Sequence, residues 1–288
     1  MTNYNSDIPD REFYFTDQDF QRIRQLIYQQ AGISLSDSKK AMVYSRVGRR
    51  LRATGLSRFD DYLALLESNH DAEIEAFINA LTTNLTAFFR EEHHFPVLAK
   101  HLANLSAGKP IKLWSCGTST GEEAYSLAMA MVDLYQSFTP PVKILATDLD
   151  TEVLKIAQAG VYPLERVEKL SIDKLQRFFL KGVGAQQGMV RVRPELQEMI
   201  QFYPLNLLEQ RWLINPPLDA IFCRNVMIYF DKPTQRKILK RFLPLMAHDG
   251  LLFAGHSESF HHSADLFKLV GRTVYAIAEQ ANHLPNGS

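Results

Sequence analysis

Long apolar runs are missing from this chain. No stretch approaches the roughly 20 apolar residues that a membrane-spanning helix needs. The first ten residues, MTNYNSDIPD, have neither the basic start nor the apolar core of a secretion signal, so the protein is expected to stay in the cytoplasm. Cysteine is scarce as well. Cys116 and Cys223 stand far apart, fit no zinc spacing, and each falls near the end of an expected strand, where a small buried thiol is the ordinary occupant. Neither a disulfide nor a metal site is expected. Net charge is absent too: 32 basic and 32 acidic residues cancel, which argues against a general nucleic-acid binder. What is present is apolar material, 46% of 288 residues, enough for the core of one large or two modest domains.

That material follows two patterns. From Thr16 to about Thr82 apolar residues recur at helical spacing, as in Phe20, Ile23 and Ile27 and again in Val43, Val47 and Leu51. Thr16 with Asp19, and Ser57 with Asp60, have the spacing of capping boxes, while Gly32 and Gly55 sit where helices end. Two further helices are expected around Phe59–Leu66 and Ile74–Leu81. The reading is a flexible N-terminus over 1–14, an all-helical domain over 15–82, and an α/β domain over 83–288.

The second pattern alternates short strands with longer helices: IKLW, AYSLAMAMVDLY, VKILAT, TEVLKIAQAG, LDAIFC, TQRKILKRFLPLM, GLLFAG. Parallel strands joined by crossover helices follow, hence a doubly wound sheet whose ligand lies beyond the carboxyl ends of the strands. FKLV and TVYAIA, around Gly271 and Arg272, read as a terminal antiparallel hairpin. Residues 178–205 fit neither pattern. Their alternating runs MVRVR and MIQFY, flanked by glycine-rich turns, are expected to pair as a small antiparallel ribbon inserted in the α/β domain.

The stretch 114–123, WSCGTSTGEE, carries the most chemistry. It leaves a strand, turns on Gly117 and Gly121 and enters a helix, the arrangement that lets a nucleotide-like ligand approach backbone N–H groups. The full G-x-G-x-x-G spacing and a Gly-Lys-Ser/Thr are both lacking, which disfavours a hydride-transfer cofactor and ATP. About thirty residues on, VKILATD ends in Asp148, placed to accept hydrogen bonds from ribose hydroxyls. An adenosine-type cofactor is the expectation.

NALTTNLTAFFREEHHF at 79–95, WSCGTSTGEEAYS, ATDLD, FCRNVMIYFD and LLFAGHSE together closely resemble the signatures of chemotaxis receptor methyltransferases, the CheR family. They occur in the same order, at compatible separations, over nearly the whole chain. The resemblance implies a Rossmann-like methyltransferase sheet with a terminal hairpin, a β-ribbon insertion and an N-terminal helical domain. It implies an enzyme that uses S-adenosylmethionine, leaves S-adenosylhomocysteine, and methylates glutamate side chains on the cytoplasmic helical bundle of chemoreceptors, to whose membrane arrays it would be recruited. A receptor C-terminal tail is a candidate ligand for the 178–205 insertion. Nucleic acid and membrane insertion are not expected. Ala124 departs from a proline often found there in the family; alanine is the better helix former, so the loop should survive.

Position by position, the resemblance assigns Asn84, Thr86 and Arg90 to the cofactor pocket, with Arg90 also orienting the substrate carboxylate. Glu123 is assigned to the amino-acid end or the ribose and Asp148 to the ribose, with Glu122 and Asp150 as neighbouring alternatives. Asn206 and Leu207 lie by the adenine, and Arg224 and Asn225, after the strand LDAIFC, complete the cofactor-binding set. Tyr229, beside the transferred methyl, is the second catalytic candidate. Among seven cations between Ser38 and Phe59, with no acidic residue between them, Lys39, Arg46, Arg49, Arg50 and Arg52 are expected to form a docking surface for the acidic receptor bundle. Two other readings stay open: a methyltransferase of the same fold with another substrate, and a non-catalytic scaffold that binds the cofactor.

Overall fold

The computed structural model describes residues 12–68, 71–103 and 109–279, and the chain divides into two compact units, Met1–Thr82 and Thr83–Ser288. The first unit is built from α1 (Asp17–Ala31), α2 (Lys40–Thr54), α3 (Phe59–Glu67) and α4 (Asp71–Leu81). The capping box at the start of α1 is present: Thr16 Oγ1 accepts from Asp19 N, and the Asp19 carboxylate accepts from Thr16 N. Gly32 and Gly55 end α1 and α2 in the left-handed region. The second expected box is not formed. α3 begins after Arg58, whose extended backbone occupies the cap position with no side-chain capping hydrogen bond, so Ser57 lies one residue too early.

Buried Phe20, Ile23, Ile27, Val43, Val47, Leu51, Tyr62 and Phe77 form the core of this unit. The expected free segment 1–14 falls partly on residues 1–11, outside the described residues. Of the rest, Phe13 is buried with its ring edge-on to Phe59, so the folded unit begins before Thr16.

In the second unit, α5 (His94–Ala103) precedes β1 (Ile111–Cys116), α6 (Glu122–Tyr135), β2 (Val142–Asp148) and α7 (Thr151–Ala159). Then come β3 (Val161–Pro163), α8 (Ile172–Phe178), β4 (Phe179–Lys181), β5 (Met189–Val192), α9 (Pro194–Gln197) and β6 (Ile200–Pro204). The chain finishes with β7 (Leu218–Cys223), α10 (Lys232–Phe242), β8 (Met246–Ala254), β9 (Phe267–Gly271) and β10 (Val274–Ile277). The main sheet has the order β6-β2-β1-β7-β8-β10-β9. Its first five strands are parallel, and β10 pairs antiparallel with both β8 and β9, the expected terminal hairpin.

Side chains alternate across the strands and fill two cores. Leu113, Ile144, Phe222 and Phe253 pack with α5 and α6 on one face; Trp114, Ile221, Cys223 and Leu252 pack with α10 on the other. Both cysteines are buried at the ends of β1 and β7.

The insertion differs from its expected form. MVRVR, as β5, pairs antiparallel with both β3 and β4, making three strands that start at Val161. The run MIQFY instead supplies β6, which joins the main sheet parallel to β2. The alternation that suggested a ribbon partner is that of an edge strand whose alternate residues face the core and solvent.

The expected uncompensated cations of α2 are a further correction. Arg50 makes two hydrogen bonds to Glu73, at 3.0 and 2.7 Å, and the buried Tyr62 hydroxyl donates to the same carboxylate at 2.7 Å. Burial first, then this bond to Glu73, pushes the Tyr62 hydroxyl above its ordinary range. Arg46 donates to the carbonyls of Ala80 and Thr82, Arg52 pairs with Glu12, Lys40 with Asp17, and Arg58 with Asp60. The stretch from Ser38 to Phe59 holds no acid, but the fold brings one to three of these cations and backbone carbonyls to a fourth, while Asp60, just past the stretch, pairs with a fifth. Lys39 and Arg49 are exposed and make no ion pair among the described residues.

Replacing Glu73 by alanine would strand a guanidinium and a buried hydroxyl together, a loss of about 2–4 kcal/mol. Both tryptophans lie in the second unit. Glu73→Ala should therefore shift urea unfolding followed by far-ultraviolet circular dichroism while leaving the tryptophan-fluorescence midpoint in place; coincident, unshifted curves would refute the role of this cluster.

Candidate functional site

Every candidate cofactor and catalytic residue lies in the second unit, at or beside the carboxyl ends of β1, β2 and β7. The loop after β1 is closed by backbone geometry. Gly117 N and Thr118 N both donate to the Thr147 carbonyl of β2, at 2.8 and 2.9 Å, so the chain bends sharply as it leaves the sheet. Gly117 has φ +85°, and a Cβ there would stand 2.3 Å from Val226 Cγ2; only glycine permits this approach. Thr118 Oγ1 is buried in the same loop without a hydrogen-bond partner among the described residues.

Asp148 holds the next layer. Its carboxylate accepts from Ser119 N at 2.7 Å and from Asp150 N at 2.9 Å. Burial pushes its carboxyl up to about 6 despite those backbone donors. Asp150 is committed elsewhere: it caps α7 through Glu152 N and Val153 N and accepts from Asn84 Nδ2 at 2.7 Å. Asn84 in turn accepts Ser119 Oγ on its backbone carbonyl at 3.2 Å. The segment before α5, the β1 loop and the end of β2 are thus one hydrogen-bonded assembly. Asn206 is brought to the same edge: Leu205 N donates to the Asp148 carbonyl, and Asn206 Oδ1 accepts from Leu208 N. Leu207 is buried, packed in the core that also holds Trp114 and Cys116. Thr86 lies half-buried between Asn84 and Arg90.

The second half of the site is organised by Arg224, which is 5% exposed. Its guanidinium stands 3.3 Å from Glu123 Oε2 and 3.6 Å from Glu91 Oε2, and it donates to the Arg90 carbonyl. Ser115 Oγ donates to Glu123 at 2.7 Å. Burial raises the Glu123 carboxyl, and Arg224 and Ser115 only partly oppose it. Glu91 goes the other way: burial would raise it, but His256, which donates from its backbone at 3.1 Å and meets Oε1 with Nδ1 at 3.0 Å, together with Arg224, brings it below the usual carboxylate range. Arg90 itself donates to the Leu85 carbonyl at 2.8 Å, and Tyr229 donates to Thr83 O at 3.2 Å. Both catalytic candidates therefore rest on residues 83–85.

Two acidic residues of the quoted motifs, beyond those assigned from the sequence, also build the site. Glu91 has just been described. Glu258, six per cent exposed, accepts from Asn225 N at 2.8 Å, from Ile228 N at 3.3 Å and from Gly255 N. It holds Asn225, whose φ of +59° is unusual for a side-chain-bearing residue, and so fixes the turn leading to Tyr229. The signal was available in LLFAGHSE: an acid on a loop that follows an apolar strand needs partners. His94, also in the motif, is buried between Phe222 and Phe253 with Nε2 2.9 Å from Thr273 Oγ1; burial pushes its ring down to about 3, so it is a neutral packing residue.

Comparison with known proteins follows the same division. Residues 84–276 match the family described as "CheR methyltransferase, SAM binding domain", and residues 18–82 match "CheR methyltransferase, all-alpha domain". The chain is 54% identical over 265 residues to the chemotaxis protein methyltransferase of Escherichia coli strain K12, covering 92% of each sequence. It is 51% identical over 269 residues to chemotaxis protein methyltransferase 2 of Pseudomonas aeruginosa, covering 93% of this chain and 96% of that one.

Glu258→Ala leaves three backbone donors without their acceptor beneath the Tyr229 turn, which should lower stability by about 2–4 kcal/mol. Urea unfolding followed by tryptophan fluorescence measures this, since Trp114 and Trp212 report the second unit. A change below about 0.5 kcal/mol, the scatter of neutral surface substitutions, would mean that the turn is held by other contacts.

Proposed function

The chain belongs to the CheR methyltransferase family, and from that premise we propose that it transfers the methyl group of S-adenosylmethionine to glutamate carboxylates on the cytoplasmic helical bundle of chemoreceptors. The products are γ-glutamyl methyl esters and S-adenosylhomocysteine, and the enzyme would work in the cytoplasm at receptor arrays. No helix among the described residues is long and apolar enough to cross a membrane.

The residues fit the cofactor. A loop that only glycine can form gives close backbone approach, Thr118 Oγ1 lacks a partner among the described residues, and Asp148 presents a buried carboxylate at the end of β2. In this reading Asp148 accepts the ribose hydroxyls; Asn84, Thr86, Glu123 and Arg224 surround the amino-acid end; Asn206, Leu207 and Asn225 border the base and the turn. Glu123 is a better candidate than Glu122, which is taken up by Thr120 and Arg166, and Asp148 a better one than Asp150, which caps α7.

Bound there, S-adenosylmethionine supplies an electrophilic methyl on a positively charged sulfur. The nucleophile, a substrate carboxylate, is already ionised near neutral pH, so no general base is needed. What the protein adds is alignment. Arg90 would hold one oxygen of the substrate carboxylate and so present the other to the methyl group that S-adenosylmethionine would supply. Tyr229, bonded to Thr83, shapes the other side of the transfer path. The observation that carries this reading is the fixation of Arg90 at both ends, its guanidinium on Leu85 O and its carbonyl on Arg224. Methyl-ester formation on receptor-containing membranes tests it. A small-molecule or RNA substrate, or no turnover at all with intact cofactor binding, would point to the other readings.

Docking on the receptor is assigned to the helical unit, now through Lys39 and Arg49, since Arg46, Arg50 and Arg52 have partners within their own unit. The three-stranded insertion is the candidate site for a receptor tail.

Three outcomes follow. Arg90→Ala should lower turnover at saturating receptor and cofactor at least tenfold, with lysine restoring only part; near-normal turnover removes the orienting role. Asp148 is protonated below about pH 6 and ionised above it. Because ribose hydroxyls bind the ionised form better, cofactor affinity measured by calorimetry should rise as pH climbs from 5 to 7, and Asp148→Asn should flatten that rise. Lys39→Glu with Arg49→Glu should raise the receptor KM about fivefold, reduce its salt dependence and leave cofactor affinity unchanged. An unchanged KM at low ionic strength would assign these cations to solvent.

A further inference from the structure

The three-stranded insertion is not a separate appendage. Tyr162, Val167, Phe178, Phe179, Val190 and Val192 belong to the same continuous core as α5, α6 and β1. One part of it bears on the loop after β1. The Tyr162 hydroxyl donates to the Thr120 carbonyl at 2.6 Å, and a Cβ on Gly121, at φ +96°, would come within 3.0 Å of that hydroxyl and 2.8 Å of Ala157 Cβ. Arg166, just after β3, donates through Nε to Glu122 Oε1 at 3.1 Å and through its terminal nitrogen to Glu122 and to Thr120 Oγ1, the latter at 3.2 Å. Thr120 Oγ1 closes the ring on Glu122 Oε2 at 2.6 Å.

Glu122 is fully buried, and among the described residues Arg166 is its only ion-pair partner. A buried carboxylate without its cation is strongly unfavourable, so the loop conformation that places Thr118, Ser119 and Thr120 depends on an arginine supplied by the insertion. Arginine suits the task because its planar fork reaches the carboxylate and the threonine hydroxyl at once.

We propose that Arg166 is a positioning residue for the cofactor: by holding Glu122 and Thr120 it fixes the glycine loop after β1, and the small inserted sheet is therefore part of the cofactor site. The proposal rests on the reading that this loop binds S-adenosylmethionine. It gives the insertion a role in the chemistry that is independent of any receptor tail.

The test uses the full chain, with S-adenosylhomocysteine binding followed by calorimetry and methyl transfer assayed at saturating receptor. Arg166→Ala should weaken S-adenosylhomocysteine binding and raise the S-adenosylmethionine KM about tenfold, with turnover at saturating cofactor changed less than twofold. Arg166→Lys, which keeps the charge and loses the fork, should fall between. The double variant Arg166→Ala with Glu122→Gln, which removes the stranded charge, should recover most of the lost affinity; this recovery separates loop positioning from general loss of fold and gives an answer even where the single alanine variant is poorly folded. An affinity within twofold of the parent for Arg166→Ala, a fall in turnover with KM unchanged, or a double variant no better than the single one would overturn the proposal. Asp148→Ala is the control on the underlying reading. If it too leaves affinity unchanged, the pocket assignment is wrong; if it weakens binding while Arg166→Ala does not, only the role of Arg166 fails.

Discussion

One buried guanidinium organises the carboxyl edge of the main sheet. Arg224 lies at the carboxyl end of the strand next to β1, almost removed from water, facing Glu91 and Glu123 and bonded to the Arg90 backbone. A charge in such a place is tolerated only with charged and hydrogen-bonded partners, so each neighbour is in effect required by it. Glu123 arrives from the first turn of α6, Glu91 from the segment before α5, and Ser115 and His256 fix the two carboxylates. Four separate parts of the chain are tied together by the need to neutralise one side chain. The outcome is a backbone position for Arg90 that owes little to the flexibility of its own segment.

The helical unit shows the opposite use of charge. Seven cations over some twenty residues suggest a repulsive surface, yet the fold supplies Glu73, Glu12 and Asp17 from elsewhere, and Asp60 stands just beyond Arg58. Arg50 and Tyr62 share Glu73 within the helical packing, and Arg46 satisfies carbonyls at the end of α4. A cation count along a sequence measures local density; compensation is a property of tertiary structure. What survives as free positive surface on the predicted docking set is small and confined to Lys39 and Arg49.

Much of the architecture was legible because it depends on local rules. The box of Thr16 and Asp19, the terminal glycines of α1 and α2, the strand–glycine–helix run through β1 and α6, and the final hairpin are all set by residues within a few positions of one another. The candidate site residues were legible from the resemblance, and the fold gathers them at adjacent strand ends. The misses share a cause. Ser57 and Arg58 differ by one residue in register, which spacing alone does not resolve. MIQFY reads as a strand, but whether it pairs with MVRVR or with β2 is decided by topology beyond its own pattern. Glu258 stands inside a quoted motif, but its partners, like those of Arg166, are fixed only by the fold.

The pairing of His94 with Thr273 joins positions 179 residues apart. His94 begins the helix that follows the Arg90 segment, and Thr273 lies in the turn of the last hairpin, whose strand β10 is inserted between β8 and β9. During synthesis, β1, the glycine loop and β2 can associate long before this turn leaves the ribosome. The helix that follows Arg90 therefore gains this contact only once the turn at Thr273 has been made, so a nascent or prematurely terminated chain would hold the bonded β1–β2 loop without the support of the His94 contact.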